Sequence, residues 1–192
     1  MGWRAVLVAA CLAAAPPAAA WDVGDTGEPA RDVAFTVDEG SWMSLDVSPD
    51  GKTIVFDLLG DIYAIPASGG TARLVHGGPA IQRNPVFSRD GRQILYVSDE
   101  SGSDNVWLSD ADGGNARQVT AETVAGIAGA NWGPDGHVVA ARLLPGHDFM
   151  RASELRLYHP KGGAGRVIVP APANGEHVHE AEFSPDGRFL YY

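Results

Sequence analysis

One five-residue pattern recurs four times along this chain, and it constrains the fold more than any other feature. The copies are Val47–Gly51, Phe87–Gly91, Trp132–Gly136 and Phe183–Gly187. Their final glycines lie 40, 45 and 51 residues apart. Every copy ends in Asp-Gly, usually after proline. Proline presets φ, aspartate bonds its own backbone and glycine accepts a positive φ, so each copy predicts a tight turn.

A strand-like segment follows each predicted turn. Apolar residues stand three positions past the glycines, at Ile54, Ile94, Val139 and Leu190. The adjacent positions are also mostly apolar, and strands that are apolar on both faces are typical of sheets packed between other sheets. Further strand signals follow at 61–65, 105–108 and 154–158, and again at 72–75, 116–119 and 166–169.

Each unit therefore reads as strand, turn, strand, loop, strand, turn, strand, and only the loop between the second and third strands grows along the chain. Repeats of this length match the four-stranded blade of a β-propeller. No segment of comparable length has helical periodicity after residue 20. The predicted fold is an all-β propeller with three full blades and the start of a fourth.

The motifs resemble a known family. Phe-Ser-Pro-Asp-Gly, an apolar strand, then Asn-Val-Trp-Leu-Ser-Asp-Ala-Asp-Gly-Gly at 105–114 and Ala-Arg-Gln-Val-Thr at 116–120 are similar to the TolB-type (WD-repeat-like) propeller repeat. The resemblance covers residues 43–192. Arg89 replaces the proline in the second copy and Gly133 replaces the serine in the third, but both keep Asp-Gly, so we expect both turns to survive.

The resemblance implies that the chain is the amino-terminal piece of a longer protein, because propellers close with roughly 4–8 blades. We expect the apolar side chains of the last segment to be exposed, and the piece alone to be poorly soluble or oligomeric. These side chains are Phe183, Phe189, Leu190, Tyr191 and Tyr192.

The first 20 residues predict a secretory signal peptide. Arg4 precedes the apolar run Ala5–Ala15, and Ala18–Ala20 supplies small residues before a cut at Trp21. Residues 21–42 are then a lead-in to the propeller at 43–192, and the protein is periplasmic or extracellular. A lipoprotein signal ending at Cys11, the single cysteine, is the competing interpretation, although the apolar stretch before it is short.

Charge and hydropathy exclude two classes of partner. The formal net charge of −10 repels phosphate backbones, so nucleic acid is a poor ligand. No stretch after residue 20 is apolar for long enough to cross a membrane. Protein or peptide ligands and a downstream catalytic domain of the same protein remain as partners.

Few residues suggest chemistry of their own. His177 and His179 share one face of a strand and are weak metal candidates, because such a pair opens the zinc site of many hydrolases. The same stretch, His177–Glu180, also occupies the place of Ile81–Asn84 in an earlier unit, which favours a structural role. We predict no catalytic residue and no cofactor in this segment, with a divalent metal such as zinc only in a missing domain.

Other weak candidates also have ordinary structural explanations. His147 and Asp148 stand in the longest loop, where an acid–base pair is less expected than solvated side chains. Asp110–Asn115 lacks the glycine at position six and the acidic residue at position twelve of a calcium loop. Trp42, Trp107 and Trp132 are predicted to fill space between blades, with sugar or peptide stacking as the alternative.

Three functions stay open for the whole protein. Glu39–Tyr63 resembles the start of propellers that precede a metal-dependent amidohydrolase domain, which acts on C–N bonds. The alternatives are a TolB-like envelope protein that binds other proteins, and the propeller of a prolyl-oligopeptidase-like serine hydrolase.

The first prediction concerns export. We expect the mature chain to begin at Trp21, because small residues precede that position. Mass spectrometry of exported material checks this. An amino terminus at a diacylated Cys11 would instead assign a lipoprotein.

Overall fold

The computed structural model describes residues 31, 33–145, 152–173, 177–178 and 180–192, and these residues form antiparallel sheets. The first sheet contains β1 (Leu45–Val47), β2 (Thr53–Leu58), β3 (Asp61–Pro66) and β4 (Arg73–His76). The second contains β5 (Gln82–Phe87), β6 (Gln93–Ser98), β7 (Asn105–Asp110) and β8 (Arg117–Gln118). The third contains β9 (Ile127–Trp132), β10 (Val138–Leu143), β11 (Ser153–Tyr158) and β12 (Arg166–Val169).

A two-stranded hairpin, β13 (Glu182–Phe183) and β14 (Leu190–Tyr191), follows the three sheets. Within each four-stranded sheet the spatial order equals the chain order, and all neighbours are antiparallel. The predicted three blades and the start of a fourth are therefore confirmed. The connection between the second and third strands also lengthens from blade to blade, as the sequence predicted.

The blades are arranged so that their first strands meet. β5 packs on β1, β2 and β3 of the preceding blade, and β9 packs in the same way on β5, β6 and β7. β13 contacts β9. Because each first strand contacts the first strand of the preceding blade, the first strands line the inner side of the fan, and the fourth strands lie outermost.

Burial of both sheet faces holds neighbouring blades together. In β6, Ile94 and Tyr96 pack with Val55 and Ile62 of the first blade. Leu95 and Val97 face the opposite way and pack against the third blade. Full burial of one such side chain contributes about 1.5–3 kcal/mol, so the contacts between blades are a main source of stability.

The serine of the repeated turn has a definite role that the sequence pattern did not reveal. In the first turn, the Ser48 hydroxyl donates to Asp50 Oδ1 at 2.7 Å and accepts from the Thr53 N–H at 2.9 Å. Asp50 Oδ1 also accepts from the Lys52 N–H. The second and fourth turns repeat all three bonds, including the second, where Arg89 stands in place of proline.

The third turn survives as expected, but with Gly133 in place of serine it closes differently from the other three. Without a serine hydroxyl the turn closes one residue earlier, by a bond from the Gly133 N–H to the His137 carbonyl, and Asp135 adopts φ +55°. Trp132 consequently pairs with Val138, whereas Phe87 pairs with Ile94.

That one-residue slip reverses the faces of the following strand. Val138 packs toward the second blade and Val139 toward the hairpin of the fourth. Val139 is therefore not the equivalent of Ile94, as the fixed offset from glycine suggested, because a shift of one residue exchanges the two faces of a strand.

Two aspartates of the first blade bind main-chain groups of the second. Asp46 Oδ2 accepts from the Phe87 N–H at 2.8 Å. The buried Asp57 carboxylate accepts from the Asn84 N–H at 2.7 Å and from the Ser44 N–H at 2.9 Å. These charge-assisted hydrogen bonds add to the apolar contact, and because they are directional they fix the orientation of the second blade relative to the first.

The last segment is less exposed than expected. Phe189, Tyr191 and Tyr192 are 56%, 63% and 66% exposed. Phe183 and Leu190 instead pack against the buried cluster of the third blade, so the expectation of exposure was wrong for these two. Their side chains point to the one face of the hairpin that a neighbouring blade already covers.

A close approach between blades predicts an uneven cost for two glycine substitutions. Gly69 and Gly113 both have positive φ in equivalent turns, but a Cβ at Gly113 would overlap the Val75 carbonyl oxygen, while Gly69 has open space. Both changes to alanine strain the backbone, so their difference isolates the overlap. We expect Gly113→Ala to lower the free energy of unfolding by about 1–3 kcal/mol more than Gly69→Ala. Equal urea denaturation midpoints would contradict this.

The turn network predicts a shifted titration. The hydrogen bond from the Ser88 hydroxyl, helped by the Arg92 N–H, lowers the pKa of Asp90. The resulting stabilisation is present above the unfolded pKa, and it is lost as pH falls through the folded pKa. Ser88→Ala should raise the Asp90 pKa toward its ordinary value. Carbon-detected NMR titration measures this, and Asp50, which keeps Ser48, is the control. An unmoved Asp90 titration would refute the assigned role of the serine.

Candidate functional site

An open cavity of about 620 Å³ lies at the inner edge of the fan, on the side of the repeated turns. Residues from the first strands or following turns of four successive repeats line it. They are Leu45, Asp46, Pro49, Val86, Phe87, Arg89, Asn131, Trp132, Glu182, Phe183 and Pro185. We call this space the axial cavity. The repeat builds it, because equivalent positions of every unit point to the same place.

Much of the polar wall is already hydrogen-bonded. The Asp46 oxygens accept from the Val47 and Phe87 N–H groups. Asn131 Oδ1 accepts from the Trp132 N–H, and the Trp132 indole N–H donates to the Val86 carbonyl. These bonds fix the side chains in place and leave the indole ring as apolar wall.

Arg89 is the cation of the axial cavity. It occupies the turn position that Pro49 and Pro185 hold in other repeats, and all three residues line the cavity. Within the described part of the chain, Arg89 makes no ion pair. Its neighbour Asp90 is engaged by Ser88 and Arg92. Sequence reasoning noted this departure from proline but assessed it only for the turn.

Other charged clusters serve the contacts between blades, away from the repeated turns. Arg83 pairs with Asp104 at 2.8 Å and also donates to the Ile127 carbonyl of the next blade. Arg142 lies 2.7 Å from Glu122, and this hydrogen bond raises the pKa of its guanidinium. Both arginines have nearby anionic partners, which favours a structural role.

Three titratable rings, of which Tyr96 and Tyr158 are buried and His76 is half-buried, lie between blades and not in the cavity. His76 bonds the Ser109 hydroxyl at 2.8 Å and stacks on Tyr96 at 4.6 Å between ring centroids. Burial lowers the pKa of His76 and raises that of Tyr96. Burial likewise raises the pKa of Tyr158 to about 12. All three rings are therefore uncharged near neutral pH.

The histidine pair is described only in part. His177 is half-buried, while His179 lies outside the described residues, as do His147 and Asp148. Val178 between the two histidines is buried and exchanges two hydrogen bonds with the Ser153 hydroxyl. Glu180 has the same φ of +55° as Asn84, which supports the structural equivalence of the two segments. The weak metal hypothesis for His177 and His179 stays a prediction.

Among the described residues, no group of three or more histidine, cysteine, aspartate or glutamate side chains is placed to hold a metal ion. In the Asp110–Asn115 turn, the Asn115 amide donates to Asp110 and the Gly114 N–H donates to Asp112. The turn therefore uses these side chains internally.

The tryptophans behave in two ways. Trp107 and Trp132 pack against buried clusters between blades, as predicted. Trp42 does not, because it precedes β1, is 97% exposed and has a φ of +62°. The prediction that it fills space between blades was wrong, since the lead-in carries it outside the sheet.

The repeated blades, their shared turn network and the axial cavity define a β-propeller of the TolB type. The family model described as TolB beta propeller domain matches residues 30–192, and the chain belongs to that family. No helix in the described ranges has the length and apolar character needed to cross a membrane.

Individual relatives are much longer than this chain. Tricorn protease homolog 1 of Streptomyces coelicolor is 26% identical over 134 residues, which are 68% of this chain and 12% of that protein. The Tol-Pal system protein TolB of Bordetella pertussis is 39% identical over 59 residues, which are 30% of this chain and 14% of that protein. The crystal structure of TolB from Acinetobacter baumannii superposes with a TM-score of 0.59 at 21% identity, covering 82% of this chain and 38% of that one.

Proposed function

We propose that this chain is the non-catalytic propeller of an exported hydrolase, and that a metal-dependent amidohydrolase domain follows it in the whole protein. The propeller would bind and position ligands beside that domain. The substrate contains a C–N bond that the downstream domain hydrolyses. The protein works in the periplasm or outside the cell.

The observation that carries the proposal is the stretch Glu39–Tyr63, which resembles the start of propellers that precede such a domain. Asp57 sets this stretch apart from the general repeat, because its equivalents in the second and third blades are Val97 and Ala141. Asp46 corresponds to Val86, Asn131 and Glu182, so a carboxylate recurs at its position in the fourth repeat. The resemblance therefore includes one buried carboxylate, Asp57, that the second and third blades lack.

The lengths of the relatives support a propeller that works with other domains. The chain spans 12% of the protease homolog and 14% of the Bordetella protein. In both, the matched part is a small portion of a larger protein. The described residues of this chain offer a binding cavity, so the proposal assigns chemistry to the following domain and recognition to the propeller.

Two other functions have specific support. The 39% identity to the Bordetella TolB favours an envelope protein that binds other proteins. The match to a protease homolog favours a propeller beside a peptidase, in line with a prolyl-oligopeptidase-like serine hydrolase. Each alternative predicts a different response to metal removal and to a serine-directed inhibitor.

The test uses the protein as its natural reading frame encodes it, exported and purified. We expect hydrolysis of N-acyl amide substrates to be lost on treatment with a chelator and restored by zinc. Activity that resists chelation but is abolished by a fluorophosphonate would assign the serine hydrolase. Stable binding of an envelope lipoprotein without any hydrolysis would assign the TolB-like function.

A double variant tests where the metal binds. His177→Ala with His179→Ala should leave both the zinc content and the chelator sensitivity unchanged, because we assign the metal to the downstream domain. Metal analysis of the purified double variant checks this. Loss of one zinc per molecule in that variant would place the site in the propeller and contradict the proposed division of roles.

A further inference from the structure

We propose that Arg89 makes the axial cavity a binding site for a single carboxylate group attached to an apolar body. The carboxyl terminus of a peptide that ends in an apolar residue has this chemistry, and so does a small aromatic acid. This binding site does not depend on the proposed hydrolase domain, because every residue that forms it lies within the described blades.

Arg89 stands at a turn position that faces the axial cavity. In the first and fourth repeats, the residue between the turn serine and aspartate is Pro49 or Pro185, and both line the axial cavity. The second turn has the same hydrogen bonds as these two, so Arg89 projects from an equivalent point. The repeat thus places one guanidinium where its other copies place a proline ring.

Within the described blades, the Arg89 guanidinium has no hydrogen-bond or ion-pair partner. Arg73, Arg83, Arg117, Arg142, Arg156 and Arg188 each bond a carbonyl or carboxylate within the described blades. Arg89 has no such bond among these residues, and it is exposed to the cavity. A guanidinium offers five N–H donors in a fork that matches a carboxylate, so it can take an anionic ligand.

The charge balance limits the ligand to one negative charge. Asp46 and Glu182 line the same cavity, and the chain carries a net charge of −10. This field repels polyanions such as oligonucleotides or polyphosphates. One carboxylate that contacts Arg89 directly gains the short-range pairing without a large long-range penalty.

The rest of the wall selects the body of the ligand. Trp132 contributes its ring and Pro49 and Pro185 add apolar surface, beside Phe87 and Phe183, whose rings pack mainly into the blades. The Trp132 N–H is already used by the Val86 carbonyl, so its ring offers a stacking face and no free donor. An apolar or aromatic group beside the carboxylate therefore fits this wall.

The experiment first compares two probes on the unmodified protein. N-acetylphenylalanine carries the carboxylate, and N-acetylphenylalaninamide is its uncharged counterpart. Binding to the exported protein, as its natural reading frame encodes it, is measured by calorimetry and by the NMR shift of the Trp132 indole N–H. We expect the acid to bind about twofold to fivefold more tightly than the amide, as for an exposed ion pair.

Arg89→Pro is the critical variant, because it introduces the residue that the first and fourth repeats already tolerate. In this variant the preference for the acid should fall to about equal binding. Arg92→Gln is the matched control, since Arg92 belongs to the same turn and pairs with Asp90 without lining the cavity. It should keep the preference, and circular dichroism checks that both variants stay folded.

Glu182→Gln tests the sign of the electrostatic argument. It removes a like charge from the wall, so the acid should bind more tightly while the amide is unaffected. A tripeptide ending in phenylalanine separates the two sources. Tighter binding than N-acetylphenylalanine indicates a peptide terminus, and equal binding indicates a small acid.

Three results would overturn the proposal. The first is equal binding of acid and amide to the unmodified chain, and the second is a preference that survives in Arg89→Pro. The third is the absence of any binding or indole shift with either probe at millimolar concentration.

Discussion

Burial of both faces of the second strands β6 and β10 is the constraint on which this structure depends. A sheet that is apolar on both sides cannot be stable with one side in water, so each blade needs a neighbour. Ile94 and Tyr96 face one neighbour, while Leu95 and Val97 face the other. The fan of blades, the meeting of first strands and the axial cavity all follow from this requirement. Hydrogen bonds from polar side chains then fix the details of a blade arrangement that burial of apolar side chains determines.

The first blade illustrates that adjustment. Its Asp57 carboxylate replaces an apolar side chain at the position held by Val97 and Ala141, and it binds main-chain N–H groups from two blades. A buried carboxylate is tolerated only where such donors surround it. The first blade is thus distinct in its chemistry from the later ones, although its backbone follows the same plan. The first blade reaches the cavity through its other aspartate, Asp46, which binds the Phe87 N–H and lines the cavity.

The repeat pattern was enough to predict the blades, their strand order and the lengthening connections. It could not predict Asp46 binding Phe87, or Arg89 reaching the axial cavity, because these contacts join residues from different repeats. The slip at the third turn was also missed, since Gly133 looked like a neutral replacement. Its effect depends on a hydroxyl that spans five residues in the other turns. Local pattern therefore predicted the units well, and failed where one unit contacts another and at the altered turn within the third unit.

The third turn has a consequence for how such a chain can be altered by recombination. In the first, second and fourth repeats, the turn glycine and the face of the following strand keep one fixed phase. In the third repeat that phase is inverted, so Val138 takes the role that position three past the glycine has elsewhere. A crossover within the turn, between the second repeat and the third, would join a strand to the wrong phase and turn its apolar side chains toward the wrong neighbours. Crossovers in the connections between blades keep each phase intact. The earlier closure of the third turn thus disfavours recombination inside the repeat, while exchange of whole blades remains compatible with the fold.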